Sequence, residues 1–249
     1  MQQKGGIMNK SKTQCFGLTN NQLKIIAMVS MAFDHIGLLF FPDADIFRIL
    51  GRIAFPIFAF MIAEGCRYTK NRAKYLGMIM AMAIAFQAVY FVAMGSLYQG
   101  ILVTFSLAII LIYAIDGLVH AKGFFGVLFS LLALAFVGAF VFVLPKFLAG
   151  TDFEIDYGFW GILFPVVVYF MPGRFGKWFG ASVVLAVRAL YYLYVIPLPL
   201  QMWSLLAIPL LALYNGTRGK AKMKYVFYIF YPAHLVILYG IAMLIEILK

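Results

Sequence analysis

The chain has 249 residues, of which 65% are hydrophobic and only 12% charged, and its net charge is +11. Soluble domains are nearer half apolar and a quarter charged, so this composition excludes an ordinary soluble protein. The basic balance does not indicate nucleic acid, because the cations lie in short connectors between apolar runs. We therefore predict an all-α, polytopic integral membrane protein, with a cytoplasmic tail over 1–20 and a single membrane domain over 21–249.

Apolar runs of membrane-spanning length follow one another from residue 22 onwards. A bilayer core needs about 20 mainly apolar residues per helix, within a range of about 17–25. Cutting the sequence at charged residues and at Pro or Gly predicts about nine transmembrane helices, the sixth and eighth of them short. The predicted spans are 22–41, 48–66, 74–94, 101–119, 124–144, 158–171, 176–196, 200–214 and 225–247.

The charges alternate between the two sides of this arrangement. With nine spans, 15 of the 20 lysines and arginines fall in the N-terminal tail and in the connectors on its side. Cytoplasmic connectors are enriched in Lys and Arg, so the pattern predicts a cytoplasmic N-terminus and an external C-terminus in a bacterial cytoplasmic membrane. Cys15 and Cys66 would then both lie near the reducing side, and no disulfide is expected.

Ionisable side chains also fall inside the predicted spans. A charge near the bilayer centre costs at least about 2.5–3.5 kcal/mol, so each such group requires a partner or a function. The three histidines and two cysteines show no close ligand spacing, and no metal site is predicted. The groups inside or at the ends of spans are Asp34, His35, Arg48, Arg52, Glu64, Arg188 and His234.

In the first span, Lys24 and His35 are 11 residues apart and share one helix face. A cation at the cytoplasmic mouth and an imidazole about 16 Å deeper suit a ligand with an anionic head and a reactive end. Asp34 points about 100° away from His35 and is expected to face a cation of another helix, such as Arg188 or Arg52. Alternatively, Asp34 and His35 only join helices through buried hydrogen bonds.

The second span carries two groups with open alternatives. Arg48 and Arg52 lie one turn apart at its outer end, where Arg48 is expected to snorkel to the headgroups. Glu64 and Arg67, three residues apart at the inner end, either pair with each other or help to bind a phosphate-bearing ligand.

In the last span, His234 follows Tyr231 and Pro232. The proline should open the helical hydrogen-bond ladder, and irregular backbone at that depth is tolerated where it is buried or lines a cavity. The alternative for His234 is a hydrogen-bonded histidine of the core. His120, beside Lys122, is expected to contact headgroups.

Five segments, in order over nearly the whole chain, carry a family resemblance. They are LKIIAMVSMAFDHIG (Leu23–Gly37), LGRIAFPIFAFMIAE (Leu50–Glu64), DYGFWG (Asp156–Gly161), QMWSLLAIPLLALYNGTRG (Gln201–Gly219) and YVFYIFYPAHLVIL (Tyr225–Leu238). Through these segments the sequence resembles the TraX family, named for the F-pilin acetylase. The resemblance implies a membrane acyltransferase that uses acetyl-CoA or a related donor, and its prototype is similar to an N-terminal acetyltransferase acting on a pilin subunit.

A looser resemblance is to the wider group of transmembrane acyltransferases. Many of these carry Arg, ten residues and then His in the first helix, with the histidine taken as catalytic. Here the same spacing holds Lys24 and His35. Lysine keeps the positive charge but not the forked geometry with which arginine binds phosphate.

We therefore expect direct acyl transfer from cytoplasmic acyl-CoA to a protein, glycan or lipid acceptor in the membrane. His35 is the expected general base, and His234 is a second-choice base or a thioester contact. The other expected catalytic residues are Asp34, Arg52 and Tyr231, and the expected donor-binding residues are Lys24, Glu64, Arg67 and Arg188. The alternatives are a proton-coupled transporter and a non-catalytic component of a surface or conjugation apparatus.

Overall fold

The computed structural model describes residues 17–219 and 223–248, and within these ranges all regular elements are helices. The α-helices are α1 (Asn20–Phe40), α2 (Asp45–Gly51), α3 (Ala54–Tyr68), α4 (Arg72–Met94), α5 (Ile101–Val119), α6 (Phe124–Gly138), α7 (Leu144–Phe147), α8 (Gly158–Phe170), α9 (Gly173–Tyr194), α10 (Ala207–Ala212) and α11 (Lys224–Ile247). A π-helical turn, Ala139–Val143, joins α6 to α7, and a 3₁₀ helix, Pro199–Leu206, precedes α10.

Six helical stretches of the described chain are long and apolar enough to cross a membrane. Two further apolar helices, Gly158–Phe170 and Pro199–Ala212, are shorter. The all-helical membrane architecture is therefore confirmed, whereas nine crossings and the orientation stay predictions. The six stretches are Asn20–Phe40, Asp45–Tyr68, Arg72–Met94, Ile101–Val119, Phe124–Phe147 and Ile229–Ile247.

Prolines divide two of the predicted spans. The second span, 48–66, consists of α2 and α3, because Pro56 has no N–H for the carbonyl of residue 52 and its ring crowds that carbonyl. The eighth, 200–214, begins as 3₁₀ helix up to Leu206 and continues as α10, because Pro209 has no N–H for the carbonyl of residue 205. By contrast, α11 continues through Pro232. The expectation of irregular backbone beside His234 is therefore wrong.

The start of α1 is closed by a capping box. Thr19 accepts a hydrogen bond from the backbone N–H of Gln22, and the Gln22 side chain accepts one from the Thr19 N–H in return. This exchange satisfies N–H groups that have no partner within the helix. The helix thus begins at the predicted boundary of the tail, whose residues 1–16, Cys15 included, lie outside the described ranges.

The core surrounds α3. Its side chains Ile57, Phe60 and Glu64 are at most 2% exposed, and the helix packs against α1, α5 and α8. By contrast, α4 and α11 bury few of their side chains within the chain. These two helices stand at the side of the bundle, and a large cavity lies between them, α1 and α3.

Candidate functional site

A cavity of about 1200 Å³ runs beside α1. Its wall includes Asn20 and Lys24, which mark its near end, and His35 and Leu38 towards its far end. Asn20 and Leu38 are about 27 Å apart along a helix axis, close to the thickness of a bilayer core. The volume exceeds the range of about 300–1,000 Å³ that is usual for ligand pockets. The cavity therefore has room for a large ligand or for two substrates.

His35 lies on the wall of this cavity. Its Nδ1 is 2.9 Å from the carbonyl oxygen of Met31 and 3.4 Å from Nε2 of His234. A carbonyl oxygen only accepts hydrogen bonds, so we assign the ring proton to Nδ1, which leaves a lone pair on Nε2. No hydrogen bond from the described residues reaches this Nε2. The Nε2 lone pair therefore has no hydrogen-bond partner among the described residues, on a side chain that lines the cavity.

His234 lies behind His35 and is not part of the cavity wall. It is 6% exposed, and its Nδ1 is 2.8 Å from the carbonyl oxygen of Phe230, whose ring stacks on the imidazole at 4.9 Å. The same reasoning places its proton on Nδ1 and its lone pair on Nε2. The two imidazoles meet edge to face, with ring centroids 5.0 Å apart.

Asp34 forms an ion-pair cluster at the far end of the cavity. Its Oδ1 accepts a hydrogen bond from Nη2 of Arg52 at 2.6 Å, and Nε of Arg48 is 3.3 Å away. The expected partnership of Asp34 with Arg52 is confirmed, and Arg48 pairs with the same carboxylate. Gly51 makes this contact possible, because a Cβ there would lie 2.3 Å from Cβ of Asp34.

Asp156 and Tyr98 complete the far end, although neither was among the expected site residues. They lie in connectors outside the helices, and their side chains are hydrogen-bonded. Burial raises the pKa of Asp156 to about 6, an effect that Tyr98, Arg52 and Arg188 partly offset. Burial and Asp156 together raise the pKa of Tyr98, so its hydroxyl stays protonated. The signal for Asp156 was the DYGFWG segment, which carries part of the TraX resemblance.

The near end of the cavity contains Lys24 and Arg218. Nζ of Lys24 is 4.9 Å from the centroid of the Phe227 ring, at a distance typical of cation–π contacts. Because Lys24 and His35 line the same cavity, the shared face that their spacing predicted is observed. A basic mouth and a deeper imidazole are therefore joined by continuous open space.

Comparisons with known proteins place the chain in a family. The family model described as TraX protein matches residues 19–242. This chain belongs to the TraX family. It is 26% identical over 254 residues to the probable fimbrial assembly protein FimC, serogroup H1, of Dichelobacter nodosus, over 90% of this chain and 96% of that protein. It is also 52% identical over 44 residues to an uncharacterized protein of Rickettsia prowazekii (strain Madrid E), over 17% and 18% of the two chains. No solved structure matches.

In this member of the TraX family, Glu64 is a buried partner of Lys177. The carboxylate lies 2.5 Å from Nζ of Lys177 and accepts a second hydrogen bond from the Tyr214 hydroxyl at 3.1 Å. The alternative that Glu64 pairs with Arg67 is therefore wrong. Glu64 still contributes to the cavity wall, whereas its partner Lys177 does not.

Arg67 closes the end of α8. Its guanidinium donates hydrogen bonds to the carbonyl oxygens of Tyr169 and Met171, the second at 3.2 Å. The last carbonyls of a helix have no partner within it, so a cation at this position stabilises the helix end. Arg67 does not line the large cavity, whereas Lys24 does, so these two expected donor-binding residues do not share a site.

Arg188 is a buried cation beneath the far end of the cavity. It is 1% exposed and donates hydrogen bonds to the Ser204 hydroxyl at 3.1 Å and to Oε1 of Gln201 at 2.8 Å. Three aromatic rings lie 4.9–5.4 Å from its guanidinium carbon. Arg188 therefore supports the cavity wall from behind and does not line it. The rings are those of Phe55, Tyr157 and Tyr192.

Tyr231 lines the cavity on the side of α11, with its ring centroid 5.0 Å from that of Phe86 on α4 and 6.1 Å from that of His234. The expected catalytic residues His35, Asp34, Arg52 and Tyr231 thus lie on one cavity. The described residues contain no group of three His, Cys, Asp or Glu side chains that could hold a metal ion.

Proposed function

We propose that the protein is a membrane-embedded acyltransferase. It moves an acetyl or short acyl group from acyl-CoA to an amine or hydroxyl of a membrane-associated or extracytoplasmic acceptor. The observation that carries the proposal is the continuous cavity with a basic near end, a charged far end and the free Nε2 of His35 on its wall. Two substrates that enter from opposite ends would meet at this imidazole.

Nine membrane crossings with a cytoplasmic N-terminus are part of the proposal. Two backbone contacts between connectors support it, because each joins two connectors that nine crossings put on the same side of the membrane. At the near end, the N–H of Leu18 donates to the carbonyl of Leu213 at 2.8 Å. At the opposite end, the N–H of Gln99 donates to the carbonyl of Glu154 at 2.7 Å. The excess of cations on the near side supports a cytoplasmic position for Lys24 in this proposal.

The reaction is direct transfer. Nε2 of His35 removes the proton from the acceptor nitrogen or oxygen, which bonds to the thioester carbonyl carbon. The carbon–sulfur bond breaks, and CoA leaves as a thiolate that takes the proton from the imidazolium. A positioned general base of this kind contributes about 10²–10⁴ in rate. One imidazole serves both proton transfers, because Nε2 accepts the proton and then returns it.

The far end of the cavity supplies charge stabilisation. Arg52 uses part of its five N–H donors on Asp34 and on the carbonyl of Arg48, and the rest are available to a developing oxyanion. The Tyr231 hydroxyl is a second donor on the opposite wall. Donors in a cavity of low dielectric stabilise such charge more than they do in water. Arg188 contributes positive potential from beneath the wall without touching a substrate.

The near end binds the donor. Lys24 and Arg218 place two positive charges where the phosphates of acyl-CoA enter, and the pantetheine arm extends towards His35. Glu64 is already paired with Lys177, and Arg67 with backbone carbonyls, so neither is free to bind the donor. Both instead stabilise the packing of the helices at their near ends.

Purified protein tests the proposal through release of CoA from acetyl-CoA, with octylamine or octanol as acceptor. His35→Ala should lower the rate by about 10²–10⁴ while the protein still binds acetyl-CoA. His120→Ala is the matched control, because His120 has the same bond to a carbonyl four residues back but does not line the cavity. Full activity in folded His35→Ala would remove His35 from the mechanism.

A second candidate is a non-catalytic component of pilus assembly, because the relative from Dichelobacter nodosus is named as a probable fimbrial assembly protein. Thermal unfolding separates the two candidates. The enzyme predicts saturable stabilisation by acetyl-CoA, whereas the assembly component predicts none. A proton-coupled transporter predicts proton uptake into proteoliposomes without CoA release.

A further inference from the structure

The carbonyls of Met31 and Phe230 hold both imidazoles in one tautomer. Each faces an Nδ1, at 2.9 and 2.8 Å, so each ring carries its proton there. The Nε2 lone pair of His234 therefore faces the same Nδ1–H of His35, with 3.4 Å between the two nitrogens, and shares this donor with the Met31 carbonyl. The neighbouring Asp34 has no part in this arrangement, because its carboxylate binds Arg52.

We infer that His234 is a positioning residue for His35. When His35 takes a proton on Nε2, its ring becomes an imidazolium and its Nδ1–H becomes a stronger donor. The Nε2 of His234 then accepts a hydrogen bond from it and stabilises the charged ring. A carboxylate does this in the Ser-His-Asp triad, and here a neutral imidazole takes that place. The inference rests on the proposed function, since it assumes that His35 is the base.

The surroundings favour a neutral His234. The residue is 6% exposed, with the Phe230 ring stacked on one face. The charged groups nearest to His35 on its own helix are Asp34, which is neutralised by Arg52 and Arg48, and Lys24, three turns away. On α11, the neighbouring titratable group is the Tyr231 hydroxyl. No ion pair joins a carboxylate of the described residues to either imidazole, so the Met31 carbonyl and the His234 lone pair are the two acceptors placed to stabilise the imidazolium.

Two nearly isosteric variants separate this role from packing. His234→Gln keeps an acceptor where Nε2 lies, whereas His234→Met fills a similar volume without one. We expect the Met variant to lower kcat by about 10- to 100-fold, the loss that is typical when the partner orienting a metal-binding histidine is removed. The KM for acetyl-CoA should stay unchanged. The Gln variant should recover most of this loss. His234→Asn is a second variant that leaves His35 without this acceptor, because its side chain is too short to reach His35, and it should behave like the Met variant.

The protonation of His35 can be followed without any acceptor. The chain contains three histidines, so selective ¹⁵N labelling gives three ring systems, which single variants assign. In His234→Met the proton affinity of His35 should fall about five- to tenfold, because a hydrogen bond from a charged donor is lost. The Gln variant should restore it, and His120→Met should leave it unchanged.

The outcomes distinguish the inference from the function on which it rests. An unchanged His35 titration and unchanged kcat in folded His234→Met would overturn the inference while leaving His35 as the base. Equal losses in the Gln and Met variants would also overturn it, because packing alone would explain them. Full activity in His35→Ala would instead remove the base on which the inference rests, and a wild-type protein that releases no CoA from acetyl-CoA would overturn the proposed function.

Discussion

The buried pair of Glu64 and Lys177 permits a quantitative test of how the helices are held together. Glu64 is 1% exposed, and it has two partners, Lys177 at 2.5 Å and the Tyr214 hydroxyl at 3.1 Å. Lys177→Met removes the only cation of the described chain within ion-pair distance of this carboxylate. An uncompensated buried charge costs about 3–5 kcal/mol. We therefore expect Lys177→Met to lower the free energy of unfolding by about that amount.

A double-mutant cycle in detergent, followed by chemical or thermal unfolding, measures this effect. Adding Glu64→Gln to Lys177→Met removes the orphan charge and should restore most of the stability. The matched control is the pair of Arg72 and Asp116, which has a similar distance of 2.6 Å but in which Arg72 is half exposed. Arg72→Met should cost about 0–1 kcal/mol. Equal costs at the two sites would refute the reasoning, because burial would then not decide the strength of the pair.

Two further predictions concern the far end of the cavity. Gly51→Ala places a Cβ 2.3 Å from Cβ of Asp34, so it should destabilise the protein by about 1–3 kcal/mol and reduce CoA release. Gly77→Ala, within α4 where the space is open, should cost no stability and keep CoA release, because Ala favours a helix more than Gly does. Asp156 has a folded-state pKa raised to about 6, so the native state holds its proton more tightly and its stability falls as pH rises from about 4 to about 6. Asp156→Asn does not suffer this loss of stability, which amounts to about 3 kcal/mol at most. The melting temperature of Asp156→Asn should therefore exceed that of the wild type by more at pH 7.5 than at pH 4.5. An equal difference at the two pH values would contradict the raised pKa of Asp156.

Hydropathy and charge alone located the helices, because a segment in a bilayer must satisfy its own backbone hydrogen bonds and must be long enough to cross. The boundaries of α1, α5 and α8 lie within two residues of the prediction. Helical periodicity also placed Lys24 and His35 on one face and turned Asp34 towards another helix, since such angles depend only on the local geometry of the chain.

Only the tertiary structure decided which helix covers each of those faces. His35 and His234 are 199 positions apart, Glu64 and Lys177 are 113 apart, and Asp156 reaches the cavity from a connector. Between helices in a membrane, association depends on shape, on close approach at small residues such as Gly51 and on a few polar contacts. Judged from the sequence alone, many pairs of helices satisfy these conditions equally well. Which helices contact each other is therefore decided only when the whole bundle packs together.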